Sequence, residues 1–139
     1  MKVKKVIYTA IVLDDEYKNW EPVHQEKFCH HITLSFGVNE VPPFIGRVVT
    51  FDADRYYCDE YGEAVTGLLN DDEVAAYAAK HGQKLHLTIS CSKNIKPVYS
   101  NELITKARGE LFEYGEIVPH VGTVGCFVVF EDDSTGWIF

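Results

Sequence analysis

The chain has 139 residues, enough for one domain whose core needs neither metal nor disulfide support. Hydrophobic residues make up 46% and charged residues 24%, a balance that excludes a disordered chain. Thirteen basic against twenty-one acidic side chains leave a net charge of −8. That charge speaks against tracking a long nucleic-acid duplex, but not against a small anion held by a few local donors.

Val3–Leu13 is an apolar, β-branched run that predicts a buried strand, ended by the acids Asp14, Asp15 and Glu16. Its basic start leads to no small-residue cleavage site, so it does not read as a signal peptide, and no apolar run nears the ~18–20 residues of a bilayer span. Any helix after the acids is short, because Pro22 interrupts it. Residues 29–36 predict a second strand, and 47–57 with 63–69 a hairpin around Asp59–Gly62. Residues 71–81 predict the best helix, acidic at its start and closed by Gly82. A strand over 84–90, a helix over 100–108 capped by Ser or Asn, and an antiparallel pair over 112–118 and 123–131 complete the order. One α+β domain over 1–139 is expected.

Four cysteines, at 29, 58, 91 and 126, contain no close pair of the zinc-knuckle or redox type. They read as free thiols of a reducing cytoplasm.

The chain partly repeats itself. Thr9–Glu16 resembles Thr66–Glu73 at an offset of 57, and His31-Ile32-Thr33-Leu34-Ser35 resembles His86-Leu87-Thr88-Ile89-Ser90 at an offset of 55. Two similar lobes related by a pseudo-two-fold axis are expected. On a strand, residues i and i+2 share a face, so each motif sets an imidazole beside a hydroxyl with aliphatics behind. Lobes that face each other would line a cleft with two imidazoles and two threonines. One imidazole can remove a proton and the other supply one, since their ordinary pKa near 6.5 suits both tasks. The hydroxyls can donate to phosphate oxygens. Six histidines and 13 Ser or Thr give about 0.6 such pairings by chance, whereas two occur at matched repeat positions.

These twin motifs resemble the His-x-Thr/Ser-x motifs of the two-histidine (2H) phosphoesterase superfamily. That superfamily includes bacterial RNA 2′,3′-cyclic phosphodiesterases, tRNA-ligase cyclic phosphodiesterase modules and phage enzymes that degrade cyclic-oligonucleotide signals. The resemblance implies a two-lobed, pseudo-symmetric LigT-like fold of antiparallel sheets around a V-shaped cleft. It implies catalysis by His31 and His86, phosphate binding by Thr33 and Thr88, and no metal or other cofactor. It also implies a small nucleotide or short RNA substrate, no membrane, and a cytoplasmic location, a host's if the chain is viral. The 55-residue spacing of the motifs resembles the compact members. Which histidine is the base stays open, as do the choice between a 2′,3′-cyclic phosphate and a 3′,5′-cyclic oligonucleotide, and any protein partner.

Further substrate contacts are expected from Tyr8, as a base-stacking ring, and from Lys96, Tyr99 and Ser100 in the loop after the second motif, alongside Lys93 and Asn101. Ser35 and Ser90 are expected to extend the polar strip of each motif strand. His30 points to the opposite face and reads as core or sheet back, and His24, His81 and His120 read as surface residues. A zinc site from Cys29, His30, His31 and Cys91 is disfavoured because adjacent strand side chains diverge. Two rivals stand beside the enzyme: a non-catalytic nucleotide- or RNA-binding module using the same cleft, and an interaction protein in which the motifs are structural.

Overall fold

In the computed structural model, which describes residues 2–112 and 115–139, the chain is an α+β protein. The elements in order are β1 (Val3–Leu13), a 3-10 turn (Asp15–Tyr17), β2 (Glu26–Lys27), β3 (His31–Phe36), β4 (Val48–Cys58), β5 (Gly62–Leu69) and α1 (Asp72–Lys80). They continue with β6 (His86–Cys91), α2 (Tyr99–Lys106), β7 (Glu110–Leu111), β8 (Val118–Phe130) and β9 (Thr135–Ile138). The strands form one antiparallel sheet in the order β2-β6-β5-β4-β8-β1-β3, with β7 on β4 and β9 on β8, and the sheet does not close into a barrel.

The middle of the sheet is the β4–β8 ladder, from Val48 opposite Thr123 to Ala53 opposite Val118. Each side of it carries a hairpin-like pair, β5 with β6 and β1 with β3, and these pairs are copies of each other in register. Val12 faces His31 as Thr66 faces His86, and Ala10 faces Thr33 as Ala64 faces Thr88. Each pair then slips by one residue, between Thr9 and Ala10 and between Glu63 and Ala64. The repeat is therefore real in the ladders, but β1 maps onto β5 at an offset of 54. The similar strings at an offset of 57 are three residues out of that register.

Alternation along the strands fills one core. Ile11, Leu13, Ile32, Leu34, Phe51, Val65, Leu87, Ile89 and Val124 are buried together. Helix α1 adds Val74 and Ala78 to them. Its start is fixed by Asp71, whose side chain accepts from the Val74 amide at 3.1 Å. Helix α2 begins without a side-chain cap, one residue earlier than expected, and packs Leu103 and Ile104 on Ala64 of β5. At Gly67 the β4 backbone comes so close that an added Cβ would lie 2.0 Å from the Asp52 carbonyl oxygen.

The expected strand over 112–118 is not present in the described part of that stretch. Phe112, Glu116 and Ile117 lie outside strands, and Glu113 and Tyr114 fall outside the described residues. The hairpin partner of β8 lies instead beyond the acidic turn at 131–133, where β9 pairs Ile138 with Cys126 and Thr135 with Val129. No helix among the described residues is long and apolar enough to cross a membrane.

Candidate active site

The two motif strands end up side by side because one stretch of chain ties them together. β2 pairs with β6, and the Phe28 and Cys29 amides continue that ladder by donating to the Ile89 and Thr88 carbonyls, each at 2.8 Å. At Cys29 the backbone turns into the left-handed region, with φ +42°, and its side chain is fully buried. The next residue has already changed partner: the Leu13 amide of β1 donates to the His30 carbonyl at 3.0 Å. Within a few residues the chain has passed from β6 to β1, and β3 follows.

The slip in each ladder then decides which side chains share the histidine face. Leu34 and Ile89 are the extra residues, so strict alternation stops after Thr33 and Thr88. Ser35 and Ser90 consequently turn away from the site, contrary to expectation. Ser35 is buried and hydrogen-bonded to Tyr77 at 3.0 Å, and Ser90 is buried and donates to Glu63 at 2.8 Å. Phe36, 68% exposed, takes the place expected for Ser35.

His31, Thr33, His86 and Thr88 line one cleft of about 600 Å³. Tyr8 and Phe36 form part of its wall on the β1–β3 side, their rings stacked at 6.2 Å and 15°. Lys27, Phe28 and Gln83 contribute to the lining, as do Pro97 and Val98 from the approach to α2 and Asn101 from its first turn. The two halves are unequal here. In the ladder positions of Tyr8 and Phe36, the second half carries Gly62 and Cys91.

The rings are held differently. The Nδ1 of His86 is 2.8 Å from the Lys84 carbonyl, so it carries the hydrogen and donates, leaving Nε2 for the cleft. Burial lowers the pKa of His86, while that carbonyl works the other way. The Nδ1 of His31 lies 3.0 Å from the Nδ1 of His30. Burial first, then the neighbouring His30 and His86, push His31 down to about 4. Trp137 closes the back of this pair, 6.0 Å from the His30 ring and 6.1 Å from the His31 ring. Thr88 Oγ1 is 2.7 Å from the buried Ser100 hydroxyl. Thr88 Oγ1 also lies 3.5 Å from the Pro97 carbonyl, so a Ser100 hydroxyl that donates here leaves the hydrogen of Thr88 between that long contact and a ligand.

Of the expected loop contacts, Ser100 therefore touches Thr88 from behind and does not line the cleft. Lys96 and Tyr99 are not in its lining either. Helix α2 starts so that Val98 and Asn101, three apart, face the cleft, whereas Tyr99 turns outward to donate to Asp59 and lies under the Lys106 ammonium. His30, expected at the sheet back, lines the cleft, because the kink at Cys29 breaks the alternation that would have turned it away. His120, expected at the surface, is buried, accepting from the Trp20 indole at 2.8 Å and donating to the Val118 carbonyl at 2.9 Å. Among the described residues no three His, Cys, Asp or Glu side chains are grouped to hold a metal ion. Lys27, Phe36, Gln83 and Trp137 carried no sequence signal; only the slipped register reveals Phe36.

Compared with protein-family models, with curated proteins and with solved structures, the chain matches none.

Proposed function

We propose that the protein is a metal-independent phosphodiesterase of the 2H type. Its substrate is a small RNA-derived phosphodiester, either a 2′,3′-cyclic phosphate or a 3′,5′-linked cyclic di- or oligonucleotide. The observation that carries this reading is the convergence of His31, Thr33, His86 and Thr88 on one cleft from matched ladder positions. Two copies of a strand pair flanking a cleft suit the two-lobed, LigT-like architecture that the motifs imply.

In this reading a water oxygen attacks phosphorus and one P–O ester bond breaks. One imidazole Nε2 takes the proton of the water, and the other imidazole, entering protonated, gives its proton to the leaving ribose oxygen. Exchange with solvent restores both rings. Thr33 and Thr88 donate to the non-bridging oxygens as charge builds there. Lys27 supplies a cation at the mouth of the cleft, and the exposed Phe36 ring backed by Tyr8 offers a flat face to a nucleobase. The absence of that face from the second half favours a substrate with one stacked base near the reacting phosphate.

The test is a panel of 2′,3′-cyclic mononucleotides, cyclic-phosphate-ended RNA and cyclic oligonucleotides, read by chromatography with chelator present. One class should be hydrolysed, and His31→Ala and His86→Ala should each slow it ~10²–10⁴-fold with the fold intact. Turnover equal in wild type and variants would remove the catalytic assignment. Binding without turnover would favour the recognition module.

A further inference from the structure

His86 and His31 occupy equivalent positions, yet only His86 is oriented by the main chain, through the Lys84 carbonyl two residues back. The residue two back from His31 is Cys29, and its left-handed backbone sits at the crossing between β6 and β1. There the ring of His31 meets another ring, with Nδ1 to Nδ1 at 3.0 Å. The two ring planes are nearly perpendicular, at 82°, which lets the lone pair of one nitrogen point along the N–H of the other.

We infer that His30 is a positioning residue for His31: its Nδ1 accepts the Nδ1 hydrogen of His31 and so leaves Nε2 of His31 as the proton-transferring nitrogen of the cleft. The inference deepens the phosphodiesterase reading and rests on it for its catalytic part. His30 does with a side chain what the Lys84 carbonyl does for His86. Two facing Nδ1 atoms can bond only if they hold a single hydrogen between them, so the pair works with His30 neutral and its own hydrogen on Nε2. When His31 Nε2 gains a proton in turnover, the charge that forms is shared along a hydrogen bond already made. The alternative arrangement, with the shared hydrogen on His30, would place the hydrogen of neutral His31 on Nε2 and take away the lone pair it needs. Trp137, packed against both rings, restricts their rotation. The charges acting on His30 are Lys18 and Asp15, of opposite sign.

The experiment is a long-range proton–nitrogen spectrum of the histidine rings in ¹⁵N-labelled, substrate-free protein near neutral pH, paired with turnover on the substrate found above. Wild type should show His31 with its hydrogen on Nδ1. His30→Ala should move that hydrogen toward Nε2, the form free imidazole prefers, and slow turnover about 10–100-fold. His30→Asn, whose carboxamide oxygen can sit where Nδ1 was, should restore the Nδ1–H form and bring turnover back to within about threefold of wild type. A wild-type His31 protonated on Nε2 overturns the inference, as does an unchanged His31 spectrum in His30→Ala. The ring spectrum needs no substrate, so an inactive protein with the expected tautomers would sink the phosphodiesterase reading and leave the positioning role standing.

Discussion

Replacing His31 by Gln should blunt the response of the protein to acid. In the folded state burial, His30 and His86 hold His31 at about 4, against an ordinary value of 6.5. Between those values the unfolded chain binds a proton at this position that the folded chain refuses. Stability from the neutral ring is therefore complete above about pH 6.5 and is lost as pH falls through 6 and 5 toward 4. At about 1.36 kcal/mol per pH unit, the whole interval corresponds to a ceiling of about 3 kcal/mol. The ring borders an open cleft, and solvent there trims the expected share to about 2 kcal/mol. Urea unfolding followed by tryptophan fluorescence, at about pH 7.5 and about pH 4.5, measures it for wild type and His31→Gln. Wild type should lose about 2 kcal/mol more than the variant between the two conditions. Losses equal within about 0.5 kcal/mol would refute the claim that the fold keeps this imidazole neutral.

Thr88→Val keeps the shape of the side chain but removes the hydroxyl, so turnover should fall about 10²–10³-fold, and the buried Ser100 hydroxyl left without its partner should cost about 1–2 kcal/mol in urea unfolding. Glu63 is 2% exposed and accepts from the Val23 amide, the Ser90 hydroxyl and the Tyr56 hydroxyl. Glu63→Ala strands those donors and should cost about 3 kcal/mol in urea unfolding, leaving the denaturant slope unchanged. Gly67→Ala forces β4 and β5 apart at Asp52 and should cost about 3 kcal/mol or more, read as a lowered melting temperature.

Local chemistry made part of this legible in advance. The i, i+2 spacing of His31 with Thr33 and His86 with Thr88 predicted one shared face per strand, and both strands carry it. Asp71 at the head of an alanine-rich stretch marked α1 to within a residue. The slip beside each threonine left no trace, because Leu34 and Ile89 are ordinary strand residues and only the pairing partner reveals the extra one. The place of His30 depends on Cys29 adopting a positive φ, a conformation for which a non-glycine residue gives no warning. Trp137 reaches His31 from a four-residue strand near the other end of the chain, a contact that no periodicity encodes. The placing of Tyr99 has a rotational cause, whereas Lys96 lies in the loop before α2. Which residues of a helix face a neighbour depends on where its first turn begins, and α2 begins one residue early.

The stretch from Glu26 to His30, bonded first along β6 and then to β1, has a consequence for recognition. The amides of Phe28 and Cys29 are held on β6 and the carbonyl of His30 on β1, so the two imidazole-bearing strands are spanned by a few residues of bonded backbone. For the substrate class proposed above, that short bridge is where the span between the two imidazoles would be tuned.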